Sequence, residues 1–160
     1  MTTPRITCIA IIGKKNSPLH LSTYPTSSSR RDTLSYHFLV NTTLDVFQAR
    51  QPSKAGGDSD FGLLYAVDDT CALYGWITNT GVKFVVAVET PVSEGVDAEG
   101  IGVREGEMKG VFRAIQTAYI SLVCNPFFDN DETRPIESRK FLAEVKKIAD
   151  GWRPGVQVQA

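Results

Sequence analysis

FGLLYAVDDTCALYGWITNTGVKFVVAVE, residues 61–89, decides the architecture: three strand-like runs joined by two tight turns. The first run, 61–67, ends in Asp68-Asp69. The second, 71–78, ends in Asn79-Thr80-Gly81, and the third, 82–88, follows at once. Aromatic and β-branched runs punctuated by Asp-Asp and Asn-x-Gly predict an antiparallel meander. The third run is apolar at nearly every position, so both of its faces must be covered, as in a sheet with helices on two sides. Nothing in the meander has the look of a reactive group. It is a surface made to be packed against.

Upstream, residues 6–12 form a second almost wholly apolar run, which suits a central strand beside 82–88. Gly13-Lys14-Lys15-Asn16-Ser17-Pro18 is turn chemistry. Leu19-His20-Leu21-Ser22-Thr23 then alternates apolar and polar, as a half-exposed strand does. The Ser- and Arg-rich stretch at about 25–33 reads as a flexible insertion. Residues 34–48 predict the first helix, with Tyr36, Leu39, Val40, Thr43, Val46 and Phe47 on the side facing the sheet. Leu34, Phe38, Asn41 and Asp45 point the other way. A surface helix with a second apolar patch covers something on both sides; the alternative is that the preceding Ser-rich loop folds over it. Asp45, near the expected helix end where the dipole disfavours an anion, is better explained by an outside donor than by helix stability. These four residues are the candidate partner-binding surface.

Downstream of the meander, residues 90–106 are glycine-rich and acidic and read as a mobile loop. Gly100, Gly102 and Gly106 have a superficial likeness to a nucleotide loop. The spacing is GxGxxxG, however, far from its strand and without a Lys-Ser/Thr ending. The second helix spans about 105–124, with Met108, Val111, Phe112, Ile115, Tyr119, Leu122 and Val123 in one apolar stripe. Gly110, Ala114, Ala118 and Ser121 lie on its flank and back, small enough to admit another helix. Asn125-Pro126 ends it. A third helix covers about 137–149, with Phe141, Leu142, Val145 and Ile148 inward; Gly151 and Pro154-Gly155 stop it, and a loose tail follows residue 152. A further loop is expected at 51–58. The order β-β-α-β-β-β-α-α implies an α+β domain with a mainly antiparallel sheet.

The chain has 160 residues and a net charge of −1, so one domain is expected and a nucleic-acid surface is not. The basic pairs Lys14-Lys15, Arg30-Arg31 and Lys146-Lys147 are scattered and read as solvated. No signal-peptide layout or membrane-spanning run is apparent. Cys8, Cys71 and Cys124 show neither CxxC nor metal-ligand spacing, which suits a reduced, cytoplasmic protein. His20, on the polar side of an edge strand, and His37, on a helix flank, lack a sequence-adjacent partner and read as surface histidines. Asp68-Asp69 is a turn, and Asp129, Asp131 and Glu132 lack calcium-loop spacing. No catalytic, cofactor-binding or metal-ligating set emerges.

The residues 9–19, IAIIGKKNSPL, resemble the first hairpin of the sedlin family, longin-like subunits of the TRAPP vesicle-tethering complex. Tyr36-His37-Phe38 and Leu44-Asp45-Val46 are similar to that family's first helix. Gly62-Leu63-Leu64-Tyr65, the run 73–79 and Val82-Lys83-Phe84-Val85 look closest to its subunit 2-like branch rather than subunit 2 itself. Cys124-Asn125-Pro126-Phe127-Phe128 and Ile136-x-Ser138-x-x-Phe141 resemble its signature around the last two helices. The resemblance implies a longin/profilin-like fold, with a five-stranded antiparallel sheet, one helix on one face and two on the other. It implies a non-enzymatic adaptor without cofactor. Its partners would be other TRAPP subunits and, indirectly, Rab-type GTPases, at the periphery of Golgi and endoplasmic reticulum membranes. Longin-like small subunits of clathrin adaptors are the relatives to exclude. A stand-alone cytosolic enzyme using Cys124 or a histidine is the competing class.

Overall fold

A computed structural model describes residues 5–24, 32–50, 59–66, 71–78, 80–89, 105–128 and 135–152. Several expectations fall outside these residues: the loops at 25–31, 51–58 and 90–104, the Asp68-Asp69 turn, the acidic stretch 129–132 and the tail after 152. The elements follow in the order β1 (Arg5–Ile12), β2 (Pro18–Thr23), α1 (Thr33–Arg50), β3 (Ser59–Ala66), β4 (Cys71–Ile77), β5 (Lys83–Glu89), α2 (Glu105–Val123) and α3 (Arg139–Gly151). The fold is α+β. The strands lie in the order β2-β1-β5-β4-β3, each neighbouring pair antiparallel. The meander is therefore β3-β4-β5, and β1 pairs with β5, which places the two most apolar strands side by side.

Alternation along these strands divides the core into two layers. Ile9, Ile11, Tyr74, Trp76, Phe84 and Val86 face α2 and α3. Cys8, Ala10, Ile12, Leu73, Val85 and Ala87 face α1. A purely apolar strand does not show in its sequence which residue belongs to which side, because both sides are dry. A bulge complicates β1: Ile6 pairs with Val88 and Cys8 with Ala87, leaving Thr7 as the extra residue. One inserted residue reverses the alternation. Ile6 and Ile9, three apart, consequently reach the same layer.

A second bulge does the same in β2. Ile11 pairs with His20 and Ile12 with Pro18, so Leu19 is extra. Leu19 enters the α2–α3 layer while Leu21 packs toward α1. The simple alternation expected for 19–23 is thus broken. The Leu19 carbonyl then accepts from the Ile136 N–H at 2.7 Å, fastening the approach to α3 onto this edge strand.

The helix boundaries shift for capping reasons. Ser138 caps α3, its hydroxyl accepting from the Phe141 N–H, so the helix begins at Arg139 rather than 137. At the other end Gly151 is helical, and Trp152 closes the helix by donating its N–H to Ile148 O at 3.1 Å. Its indole is wholly buried. α2 starts at Glu105, as the helical pattern predicted, so the last two residues of the loop expected over 90–106 belong to the helix. Val123, expected inside, is 37% exposed at the last turn of that helix.

Candidate protein-interaction site

Asp32 starts α1. Its Oδ1 accepts from the Ser35 N–H at 2.9 Å and the Ser35 hydroxyl at 2.7 Å. The hydroxyl bond and then the backbone bond hold the Asp32 carboxyl below its ordinary acidity range. With that cap the helix begins at Thr33, one residue earlier than the apolar pattern indicated. Tyr36, Val40, Thr43 and Phe47 are buried against the sheet at spacings of four, three and four. The Tyr36 hydroxyl donates to Glu89 Oε1 at 3.2 Å, linking α1 to the end of β5.

Leu34, Phe38, Asn41 and Asp45 repeat the same spacing on the opposite side, and all four are exposed. Leu34 is 61% and Phe38 64% exposed. The structure thus brings the four candidates into one outward row on a helix whose inner side is committed to the core. The Ser-rich loop that could have covered them falls outside the described residues. The helix continues to Arg50, so Asp45 lies more than a turn from its end, and the terminal dipole has faded there. Asp45 remains notable for its exposed position beside Phe38 and Asn41, not for a dipole penalty.

His20 is not on a polar side. It pairs with Ile11 on the α3 side of the sheet, half-buried, its ring edge-on to Phe141 with centroids 5.8 Å apart. Its Nε2 is hydrogen-bonded to the Ser22 hydroxyl. Burial lowers its pKa below the ordinary histidine value. The bulge at Leu19 redirects the ring, and alternation alone could not have revealed this. His37 is exposed on α1. Burial, and next the neighbouring Cys71, push the Cys8 thiol up to about 12, which removes its thiolate character. Cys124 is exposed rather than packed as a small hydrophobe. Among the described residues no group of three His, Cys, Asp or Glu is placed to hold a metal ion. No described helix is long and apolar enough to cross a membrane.

The sedlin family model matches residues 11–151, from the first hairpin to the end of α3. The chain belongs to the sedlin family. Over 146 residues it is 33% identical to the trafficking protein particle complex subunit 2-like protein of Dictyostelium discoideum, covering 90% of this chain and 96% of that one. The mouse protein of the same name is 34% identical over 146 residues, covering 88% and 94%. That of Xenopus tropicalis is 33% identical over 139 residues, covering 84% and 89%. The whole of α1, with its outward row, lies within the family match.

Residue patterns missed a second exposed apolar group. Ile120 is 52% exposed on the outer side of α2, and Phe127, in the turn after it, is 95% exposed. Helical spacing could have separated Ile120 from the buried Ile115 and Leu122. Phe127 had no such signal, because it lies beyond the periodic segment. Between α2 and α3 runs a groove of about 350 Å³ bordered by Ala114, Ala118, Ser121, Phe141 and Ile148. Ala114 and Ala118, expected to admit another helix, border this groove. A Cβ on Gly110 would meet nothing within 4 Å, so that glycine is not part of the close approach.

Proposed function

We propose that this sedlin-family protein is a non-enzymatic assembly subunit of a TRAPP-type vesicle-tethering complex, with the outward side of α1 as its docking surface. In this reading the fold is the longin/profilin type, a five-stranded antiparallel sheet between one helix and two. The subunit acts in endoplasmic reticulum–Golgi and intra-Golgi transport, supporting an assembly that exchanges nucleotide on Rab-type GTPases. It is cytoplasmic and reaches Golgi membranes peripherally through the complex.

The observation that carries the reading is the pair Leu34 and Phe38, exposed on a helix already anchored from below by Tyr36, Val40 and Phe47. Covering a leucine and a phenylalanine in an interface is worth about 1.5–3 kcal/mol each. Asn41 and Asp45 continue the row and supply the polar edge that gives such an interface orientation. The names of the relatives support the choice of complex.

The experiment is affinity purification of the tagged chain from its own cells, followed by sizing and mass spectrometry, with Asp45→Tyr in parallel. The native chain is expected in a species far larger than itself together with TRAPP subunits. Asp45→Tyr is expected to melt like the native chain while losing most of those partners. Elution of the native chain alone at its own mass would overturn the reading. A folded Asp45→Tyr that retains its partners would move the interface elsewhere.

A further inference from the structure

Cations that stand apart along the sequence are brought together by the packing of α2 beside α3. On α2, Lys109, Arg113, Gln116 and Ile120 recur at spacings of four, three and four, opposite the buried Val111, Ile115 and Leu122. On α3, Arg139 and Lys146 form one row and Lys140 and Lys147 another, opposite the buried Phe141, Val145 and Ile148. All six cations are exposed. Asp150 shares this outward side. Glu144 is also exposed, in the row of Lys140 and Lys147, and borders the groove between the helices together with Lys140; Glu137 precedes α3. Six exposed cations, against Asp150 and Glu144 among the described side chains, thus lie on the outer sides of α2 and α3 in a chain whose net charge is −1, and the remainder of the chain is correspondingly acidic.

We infer that the outward plane of α2 and α3 docks on an anionic lipid bilayer surface. Two helices side by side on a sheet make a broad plane, and the charges are spread along both helices rather than converging on a cleft. A headgroup layer is laterally continuous and needs no complementary contour, so it meets all six cations at once. Four to eight Lys or Arg on an amphipathic helical face are the usual requirement for attraction to acidic lipids. Ile120, exposed in the same row as Lys109 and Arg113, supplies an apolar contact at the headgroup boundary. This plane lies across the sheet from α1. The inference therefore stands apart from the subunit docking proposed above, and either can fail alone.

Flotation of the purified full chain with phosphatidylcholine vesicles, with and without phosphatidylserine, tests it. The chain is expected to float only with the anionic vesicles. Raised salt should release it, because the screening length falls from about 10 Å at 0.1 M to about 3 Å at 1 M. Lys146→Glu with Lys147→Glu should lower the bound fraction at least roughly tenfold, as each cation is worth about a fivefold gain. Lys14→Glu with Lys15→Glu, exposed on the β1–β2 turn, should leave it unchanged. If the α3 double variant fails its melting check, Arg139→Gln with Lys140→Gln takes its place. Equal flotation with neutral vesicles, no flotation at all, or equal loss in the Lys14/Lys15 variant overturns the inference. Retention on immobilised polyglutamate without vesicle binding also overturns it and assigns the plane to an acidic protein.

Discussion

Gly75 lies in β4 where the strand passes beneath Phe47 of α1 and Leu64 of β3. A Cβ there would stand 2.7 Å from Phe47 Cζ and would also overlap the Leu64 side chain. Removing a strand glycine ordinarily gains about 0.5–1 kcal/mol. The clash outweighs this, since overpacking a filled core costs roughly 1–3 kcal/mol. Gly75→Ala is expected to lower the melting temperature by several degrees, at about 2–4 °C per kcal/mol for a domain of this size. A thermal melt showing no loss would mean that Phe47 yields without cost. His20 gives a second measurable effect. Burial holds its folded pKa below the ordinary 6.5. As the pH falls through 6.5 the unfolded chain takes up a proton that the folded chain does not, so acid lowers stability. The native protein should lose more melting temperature between about pH 7.5 and pH 5.5 than His20→Gln does. Equal losses would remove His20 from the account.

At the scale of the element, α1 shows how one helix can serve two purposes. Its apolar residues are spread around the circumference, so it has no single apolar side of the kind seen in α3. The inner row is structural: truncating Phe47 to Ala is expected to cost about 3–5 kcal/mol. The outer row contributes little to the isolated chain, because substitutions at exposed positions ordinarily stay within about 0.5 kcal/mol. Leu34→Ser with Phe38→Ser should therefore shift the melting temperature by at most a few degrees, while partner recovery from cell extract falls sharply. A double variant that unfolds would show the outer row to be covered within the chain. The bulges in β1 and β2 belong to the same scale. Each moves one strand segment by a residue and so decides which layer receives Thr7, Leu19 and His20.

At the scale of the whole molecule, the sheet is consumed on both faces, one by α1 and the other by α2 and α3. Among the described residues, contact with other molecules is left to the outer sides of the helices and to the strand edges. This arrangement suits an assembly subunit and carries a direct expectation for the purified chain. Calorimetry should detect no stoichiometric binding of GTP or Zn²⁺. One-to-one binding of either at micromolar affinity would contradict the adaptor reading and revive the enzymatic one.

Much of this was legible from residue order alone. The meander, the adjacency of its last strand to β1 and, Val123 apart, the inward stripes of the three helices followed from short-range periodicity, which reports what each segment must bury. So did the outward row Leu34, Phe38, Asn41 and Asp45, since angular position on a helix depends only on sequence spacing. The layer reached by each residue of β1 was not legible, because a strand buried on both sides has no polar alternation to read and one bulge inverts the order. The burial of Trp152 and the surroundings of His20 were hidden for a related reason: each depends on how α3 lies against the sheet, a contact between segments more than a hundred residues apart. The same long-range packing brings Lys109 and Arg113 onto one plane with Arg139, Lys140, Lys146 and Lys147. Along the chain those charges are separate, and only tertiary structure makes them neighbours.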